Sequence, residues 1–457
     1  MTVKTVARRR AVVHRCTVDK NEEANMKKSV LSACLLGLTC LSACGQKKDP
    51  PQETPKEEPK AAAETKPEAA DKTADEKAPV ATPVKDTATL LVAQSEFKAN
   101  DKGKFTIPDK GAVLLIKAQG GKWVSERVED TDSNVLHKAL PFGKEQFLTI
   151  GGNQAMLKLW SKKDGKWQSE TLWNPTFGGK QNRLRDFEAA DFNGDGKMDL
   201  AVVTHDQGVI AAVFQRDGKW EPMELDRTPD TFVHEAEVGD LDKDGKLEIY
   251  ATPSMPNTVS GKGQGGEIVR FEWNGKTFDK STVAAFDKRH VKEVFVKDVD
   301  GDGTDELYAA LEAEVDGPTI IEPVEIRRFD LKDGKFVSTL VSKLDDRFCR
   351  FLTSGDLDGD GKSELVAAAF STGVSVFKKE GDKYTKKCID PDSGGFEHAA
   401  YITDLDKDGT VELYVADDKA GAINQFVYKD GVYKKETIYR RENPTQAMVW
   451  NITDADW

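Results

Sequence analysis

The chain is short of cysteine, aromatic residues, basic charge and long apolar runs. Of its six cysteines only Cys349 and Cys388 fall after residue 44, which excludes the disulfide framework that staples small secreted domains. Aromatics make up 8% of 457 residues and hydrophobic residues 38%, against 37 glycines. Such a chain can bury a large core, but from many short elements rather than a few long helices. Basic residues number 66 against 79 acidic ones, a formal charge of −13, which excludes a non-specific nucleic-acid binder. The enzyme motifs are missing too. His234-Glu235 lacks the second histidine of H-E-x-x-H, and G-x-S-x-G is absent. Gly261, Gly263 and Gly266 fit G-x-G-x-x-G but precede the strand-like EIVRFEW, so no helix N-terminus is available for a pyrophosphate.

What is present begins with an apolar stretch, SVLSACLLGLTCLSAC, from Ser29 to Cys44. It has the length of a signal-peptide core and is too short to span a bilayer as a helix. Met26-Lys27-Lys28 precede it and Leu41-Ser42-Ala43-Cys44 end it. The order of charge, apolar core, small residues and cysteine resembles a bacterial lipoprotein signal, which implies lipidation of Cys44. Residues 1–25 then read as an upstream extension; a genuine long n-region is the alternative. Gly45 follows the cysteine, and by resemblance to enterobacterial sorting rules this implies the outer membrane, facing the periplasm or the cell surface. Residues 44–86, rich in Pro, Lys, Glu and Ala, cannot offset their ordering entropy by burial and read as a disordered tether.

The remainder, 87–457, is a repeat. One pattern recurs as DFNGDGKMDLAVV from Asp191, DLDKDGKLEIYAT from Asp240, DVDGDGTDELYAA from Asp298, DLDGDGKSELVAA from Asp356 and DLDKDGTVELYVA from Asp404. Alternating, strand-like segments flank each copy. A second marker counts the units separately. Tight turns followed by an aromatic fall at Gly120-Gly121, Asp164-Gly165, Asp217-Gly218, Asn274-Gly275, Asp333-Gly334, Glu380-Gly381 and Asp430-Gly431. These are hairpin signals, and seven four-stranded units make an all-β, seven-bladed β-propeller. The blades are 447–457 with 87–130, then 131–178, 179–228, 229–286, 287–343, 344–392 and 393–446. The first of these closes the ring by pairing the two ends of the repeat region. Blade 131–178 keeps only GKEQFLTIGG where the others carry acidic residues. Six or eight blades are the alternatives. From about residue 90 to the end, these repeats resemble the FG-GAP/VCBS repeats of integrin α-subunit propellers and of many bacterial envelope proteins.

The acidic loop has a chemistry of its own. D-x-[DN]-x-D-G-x-x-[DE] puts side-chain oxygens at positions 1, 3, 5 and 9, a backbone carbonyl at 7, and glycine at 6 for a sharp turn. Six to eight oxygens in flexible geometry suit Ca²⁺ better than the strict octahedron of Mg²⁺. The candidate ligands are Asp191, Asn193, Asp195 and Asp199; Asp240, Asp242, Asp244 and Glu248; Asp298, Asp300, Asp302 and Glu306; Asp356, Asp358, Asp360 and Glu364; and Asp404, Asp406, Asp408 and Glu412. Turns that bind no metal are the alternative. A metal closed in by protein carboxylates would be structural, one Ca²⁺ in each of about five loops.

Aligned on the first aspartate, the repeats place Arg185, His234, Lys292, Arg350 and His398 six residues upstream. In a propeller that position begins the innermost strand, at the mouth of the central channel opposite the acidic loops. Insertions 252–266 and 312–324 flank the same mouth. Two readings stand: the charges receive a partner or ligand, or they pair between blades around a wet channel. Cys349 and Cys388 are a candidate disulfide within one blade, with two free thiols as the alternative. The functional expectation is a calcium-stabilised envelope lipoprotein, not an enzyme, that binds a protein or glycan partner and no nucleic acid, held to the membrane through Cys44. The alternative is a carbohydrate-active enzyme resembling the polysaccharide lyases that use calcium-bearing propellers. Without residues 1–43 the charge becomes −18, and five Ca²⁺ would bring it to −8, so much of the acidity is metal-ligand carboxylate.

Overall fold

The computed structural model describes residues 85–457 apart from 153–154, 178–181, 206, 230 and 256–264. The signal segment, Cys44 and the tether as far as residue 84 lie outside the described residues. The rest forms seven four-stranded antiparallel sheets and a small two-stranded hairpin. Each sheet is a blade, and within it the chain runs from innermost to outermost strand in sequence order. Blade 3, for example, consists of Leu184–Ala190, Asp199–Thr204, Val209–Arg216 and Lys219–Arg227. The third and outermost strands turn at Asp217 and Gly218, with φ of 48° and 73°. Two successive positive φ values match the right-handed strand twist, which is why Asp-Gly recurs there.

Blade 1 closes the ring. Its innermost strand, Ala447–Ala455, pairs antiparallel with Thr89–Ala99, for instance Val92 opposite Ile452. Phe105–Gln119 and Lys122–Asp130 complete that sheet. The blade therefore draws on both ends of the repeat region, with the C-terminal strand innermost and the three N-terminal strands outside it.

The core lies between blades. Seven hydrophobic clusters fill the seven interfaces, each drawing side chains from two neighbouring blades. The second strands read as apolar runs, such as Leu200, Ala201, Val202 and Val203, because both faces of a blade are covered. The insertion of blade 5 folds as the hairpin Glu314–Asp316 with Thr319–Glu322.

Cys349 and Cys388 are both free thiols. Cys349 stands on the innermost strand of blade 6 and Cys388 on its outermost. Three inter-strand spacings of about 4.8 Å separate those strands, well beyond the reach of a disulfide. The sequence expectation of a bridge fails on this geometry.

Candidate metal loops and the channel mouth

Each acidic loop joins the innermost strand of its blade to the second. Its first aspartate turns inward and caps the loop's own backbone. Asp191 Oδ1 accepts from the amides of Gly194 and Asp195 at 2.8 and 3.1 Å, and its Oδ2 from Gly196 at 2.8 Å. Asp240, Asp298, Asp356 and Asp404 accept from the corresponding glycine amides at 2.8 to 2.9 Å. Those glycines have φ between 80° and 91°, a region costly for any side chain.

Position 2 ties the loop to the core. Phe192, Leu241, Val299, Leu357 and Leu405 are all buried, and each sits in the cluster between its own blade and the next. The loop is therefore a clip: fixing its shape fixes a wedge in the neighbouring interface. Sequence reading took in the polar positions and passed over these apolar ones.

Position 9 opens the second strand as a buried carboxylate in all five loops: Asp199, Glu248, Glu306, Glu364 and Glu412. In blades 4, 5 and 7 one oxygen from each of the four acidic residues lies within 4.8 Å of the others, as do those of Asp356, Asp358 and Asp360 in blade 6. In blade 3 the third position is Asn193, whose Nδ2 donates to Asp199 Oδ2 at 3.2 Å. Asp300 Oδ1 and Asp358 Oδ1 are buried without a hydrogen-bond donor, while Glu248 Oε1 and Glu364 Oε1 have only the Arg270 and Lys378 cations beside them, at 3.1 and 3.6 Å. Buried oxygens of that kind are costly unless a cation satisfies them. Burial, with Asp406 and Asp404 beside it, pushes the Glu412 carboxyl up to about 7. An oxygen-only donor set of this charge fits a hard divalent ion such as Ca²⁺.

Sequence reading also missed the basic residues that third strands bring to these loops. Arg270, on the third strand of blade 4 (Gly266–Trp273), pairs with Asp242 and approaches Glu248 at 3.1 Å. Arg328, on that of blade 5 (Val324–Lys332), lies 2.8 Å from Asp300 and 3.1 Å from Glu306. Lys378, on that of blade 6 (Gly373–Glu380), lies 2.5 Å from Asp358, 2.8 Å from Asp360 and 3.6 Å from Glu364. Aligning the third strands would have exposed the match between Arg270-Phe271 and Arg328-Phe329.

At the opposite end a β-bulge marks the innermost strand. Pairing slips between Leu184 and Asp186, Val233 and Ala236, Val291 and Glu293, and Cys349 and Phe351. The unpaired residues include Arg185, His234, Lys292 and Arg350, and a bulge re-aims the side chain it carries. All four are buried.

Arg185 Nη2 lies 3.1 Å from Glu397 Oε2, and Arg350 Nη1 lies 3.0 Å from Glu397 Oε1. Arg350 also donates through Nε to Glu312 Oε1 at 3.0 Å and stacks near Phe348 and Phe396. Lys292 has no carboxylate within ion-pairing distance among the described residues; its Nζ meets His234 Nε2. Burial, with repulsion from Arg350 and Arg185, holds the Lys292 amine well below its ordinary range. Burial and Lys292 do the same to His234. Next along the strands stand Asp186 and Glu293. Asp186 accepts from the Ala236 amide at 3.0 Å and Glu293 from that of Leu352 at 2.9 Å, each tying its blade to the next.

His398 does not join this group. The innermost strand of blade 7 begins only at Ala400, and His398, at φ 61°, turns away. It is held by Ser393 Oγ at 2.7 Å and the Ala369 carbonyl at 2.6 Å. Glu397 takes its place, a substitution that counting back from Asp404 could not reveal.

Seven antiparallel blades, five of them with an acidic nine-residue clip, define a repeat β-propeller. Residues 191–251 and 356–415 match the family model of FG-GAP-like repeats, within a chain that folds as a seven-bladed β-propeller. No curated protein sequence matches it. Among solved structures, a protein from Lactobacillus plantarum superposes with a TM-score of 0.52 at 7% identity, over 81% of this chain and 99% of that one. The periplasmic gluconolactonase of Pseudomonas aeruginosa gives 0.48 at 11%, over 80% and 99%. The apocarotenoid oxygenase of Synechocystis gives 0.47 at 13%, over 81% and 93%. At these identities the likeness is one of fold alone.

Proposed function

We propose that the protein is a calcium-stabilised lipoprotein of the cell envelope, anchored through Cys44, that serves as a binding scaffold for a protein or glycan partner. The carrying observation is how the mouth charges are used. Arg185 and Arg350 are committed to Glu397 and Glu312, so the strongest charges brace blades instead of facing a substrate. Surface for a partner lies on the flanking insertions. Met255, 63% exposed, leads into the blade 4 insertion, and Ile321, 53% exposed, sits on the blade 5 hairpin. Exposed apolar residues on neighbouring insertions are a feature of docking faces. Calcium is supported by the orphaned buried carboxylate oxygens of the loops, and anchoring by the residue order that ends at Cys44.

The test is crosslinking in native envelopes followed by identification of what co-purifies, in wild type and in Met255→Ser/Ile321→Ser. A partner captured by the wild type and lost in the double variant supports the reading; equal capture by both refutes the docking face. Cys44→Ala moves the protein out of the membrane fraction if the anchor is correct. A lyase-like enzyme is the second reading, favoured by one observation: Lys292 Nζ and His234 Nε2 are in direct contact, and burial holds both groups well below their ordinary ranges. Cleavage of acidic polysaccharides that disappears in Lys292→Met would establish it over the scaffold.

A further inference from the structure

The five clips differ in charge, and the difference falls on the seam of the ring. Arg270 stands opposite Tyr250 and Arg328 opposite Tyr308, while at the same register position in blade 7 Gln425 stands opposite Tyr414. In blade 6 the cation is supplied two residues further on, by Lys378. Blade 3 has no such cation, since Ala212 faces Ala201 there. It sheds a charge another way, with Asn193 in place of a carboxylate. The clips of blades 3, 4 and 6 thus have a net charge of about −3, that of blade 5 falls to about −2 because Lys379 of blade 6 also lies 2.6 Å from Asp300, and that of blade 7 alone keeps −4. Its basic neighbours offer little relief. Lys85, 4.0 Å from Asp406, is 57% exposed, and Lys407, 62% exposed, pairs with Asp456, so water screens both.

The blade 7 clip also holds the ring closed. The Leu405 carbonyl accepts from the Ala88 amide at 2.9 Å, and the Leu405 side chain packs with Leu90, Leu114, Val449 and Ile452 of blade 1. Tyr401 Oη and Thr403 Oγ1, just before the clip, reach Asp454 of the closing strand at 2.8 and 3.2 Å.

We infer that Asp404, Asp406, Asp408 and Glu412 form the tightest divalent-cation site of the five and act as a metal-dependent latch on ring closure, while the other four clips are partly neutralised by the protein itself. A unit positive charge a few ångströms from a divalent ion weakens its binding by about ten-fold or more even at high dielectric. The same in-built cation holds an empty clip together. Blade 7 has neither the handicap nor the support. The inference rests on the calcium reading above.

The experiment is calorimetric Ca²⁺ titration of the metal-stripped full chain, with hydrogen exchange read before and after addition. The wild type should show one step at least about ten-fold tighter than the rest. Gln425→Arg should remove that step, and Arg270→Gln should add a second. On stripping, exchange should rise first at 404–412 and 88–93, with 240–248 still protected. Steps of equal affinity unmoved by either variant, or parallel loss of protection in all clips, overturn the latch while leaving calcium binding intact. Absence of any Ca²⁺ uptake overturns the calcium reading, and the latch with it.

Discussion

Arg185 of blade 3 reaches Glu397, on the approach to blade 7, at 3.1 Å, joining two blades that are not neighbours. Arg350 of blade 6 holds the other oxygen of the same carboxylate and extends the chain to Glu312 of blade 5. Removing Glu397 would leave two guanidinium groups buried and under-compensated, so Glu397→Gln should cost about 3–5 kcal/mol. Chemical denaturation measures this directly. A loss below about 1 kcal/mol would mean that water already reaches the pair.

The same network changes what substitutions at the mouth can test. Replacing Arg185, Lys292 and Arg350 together is a stability experiment first, because two of the three are ties between blades. A binding test belongs at the rim.

Leu405 should be costly to truncate. It is fully buried in the seam cluster, and loss of such a side chain typically removes about 2–5 kcal/mol through transfer and cavity terms. Thermal and denaturant melts of Leu405→Ala check this. Leu241→Ala, a wedge between blades 4 and 5, is the matched control for a seam-specific effect.

The acidic loops were legible in the sequence because their ligand positions are local: spacing within nine residues carries the whole pattern. Blade count and ring closure were legible for the same reason, since Asp-Gly turns and strand alternation are short-range signals. Glu397 was not, because the innermost strand of blade 7 starts only at Ala400 and the left-handed turn at His398 puts Glu397 where His398 had been aligned. Nor were the partners of Arg270 and Arg328, which sit on the third strand and meet the loop only through sheet pairing. The supposed disulfide failed for the complementary reason. Shared membership of a blade says nothing about the two strands between Cys349 and Cys388.

That correction has a chemical readout. Cys388 is exposed and Cys349 buried, and burial raises the Cys349 thiol well above its ordinary range. Of these two, a maleimide should label only Cys388 in the native protein, and both after unfolding. Two unreactive cysteines that appear on reduction would restore the bridge.

Removal of the divalent ion should lower the melting temperature, because each site kept at a hundred times its dissociation constant adds about 2.7 kcal/mol of stability. Calorimetry with excess EGTA against excess Ca²⁺ gives the shift. An identical melt in both would leave the clips as turns stabilised by their own hydrogen bonds.

Acid stability should turn on His290. The ring is buried, with Nε2 2.9 Å from the Met255 carbonyl. Around it stand Glu312, with an oxygen 3.8 Å from Nδ1, and the basic side chains Lys292 and Arg350. Burial, then repulsion from Lys292 and Arg350, takes its pKa down to about 2. The folded protein therefore keeps His290 neutral where the unfolded chain, titrating near 6.5, binds a proton. The unfolded state gains protons as pH falls below 6.5, so stability declines at about 1.4 kcal/mol per pH unit from this residue alone, flattening only near pH 2. Between pH 6.5 and 5 that amounts to about 2 kcal/mol. Urea melts across this range should show the decline, and His290→Asn, which keeps a donor for Met255 but does not titrate, should lessen the slope by that amount. An unchanged slope in the variant would mean that His290 is protonated in the fold, with Glu312 as its counter-ion.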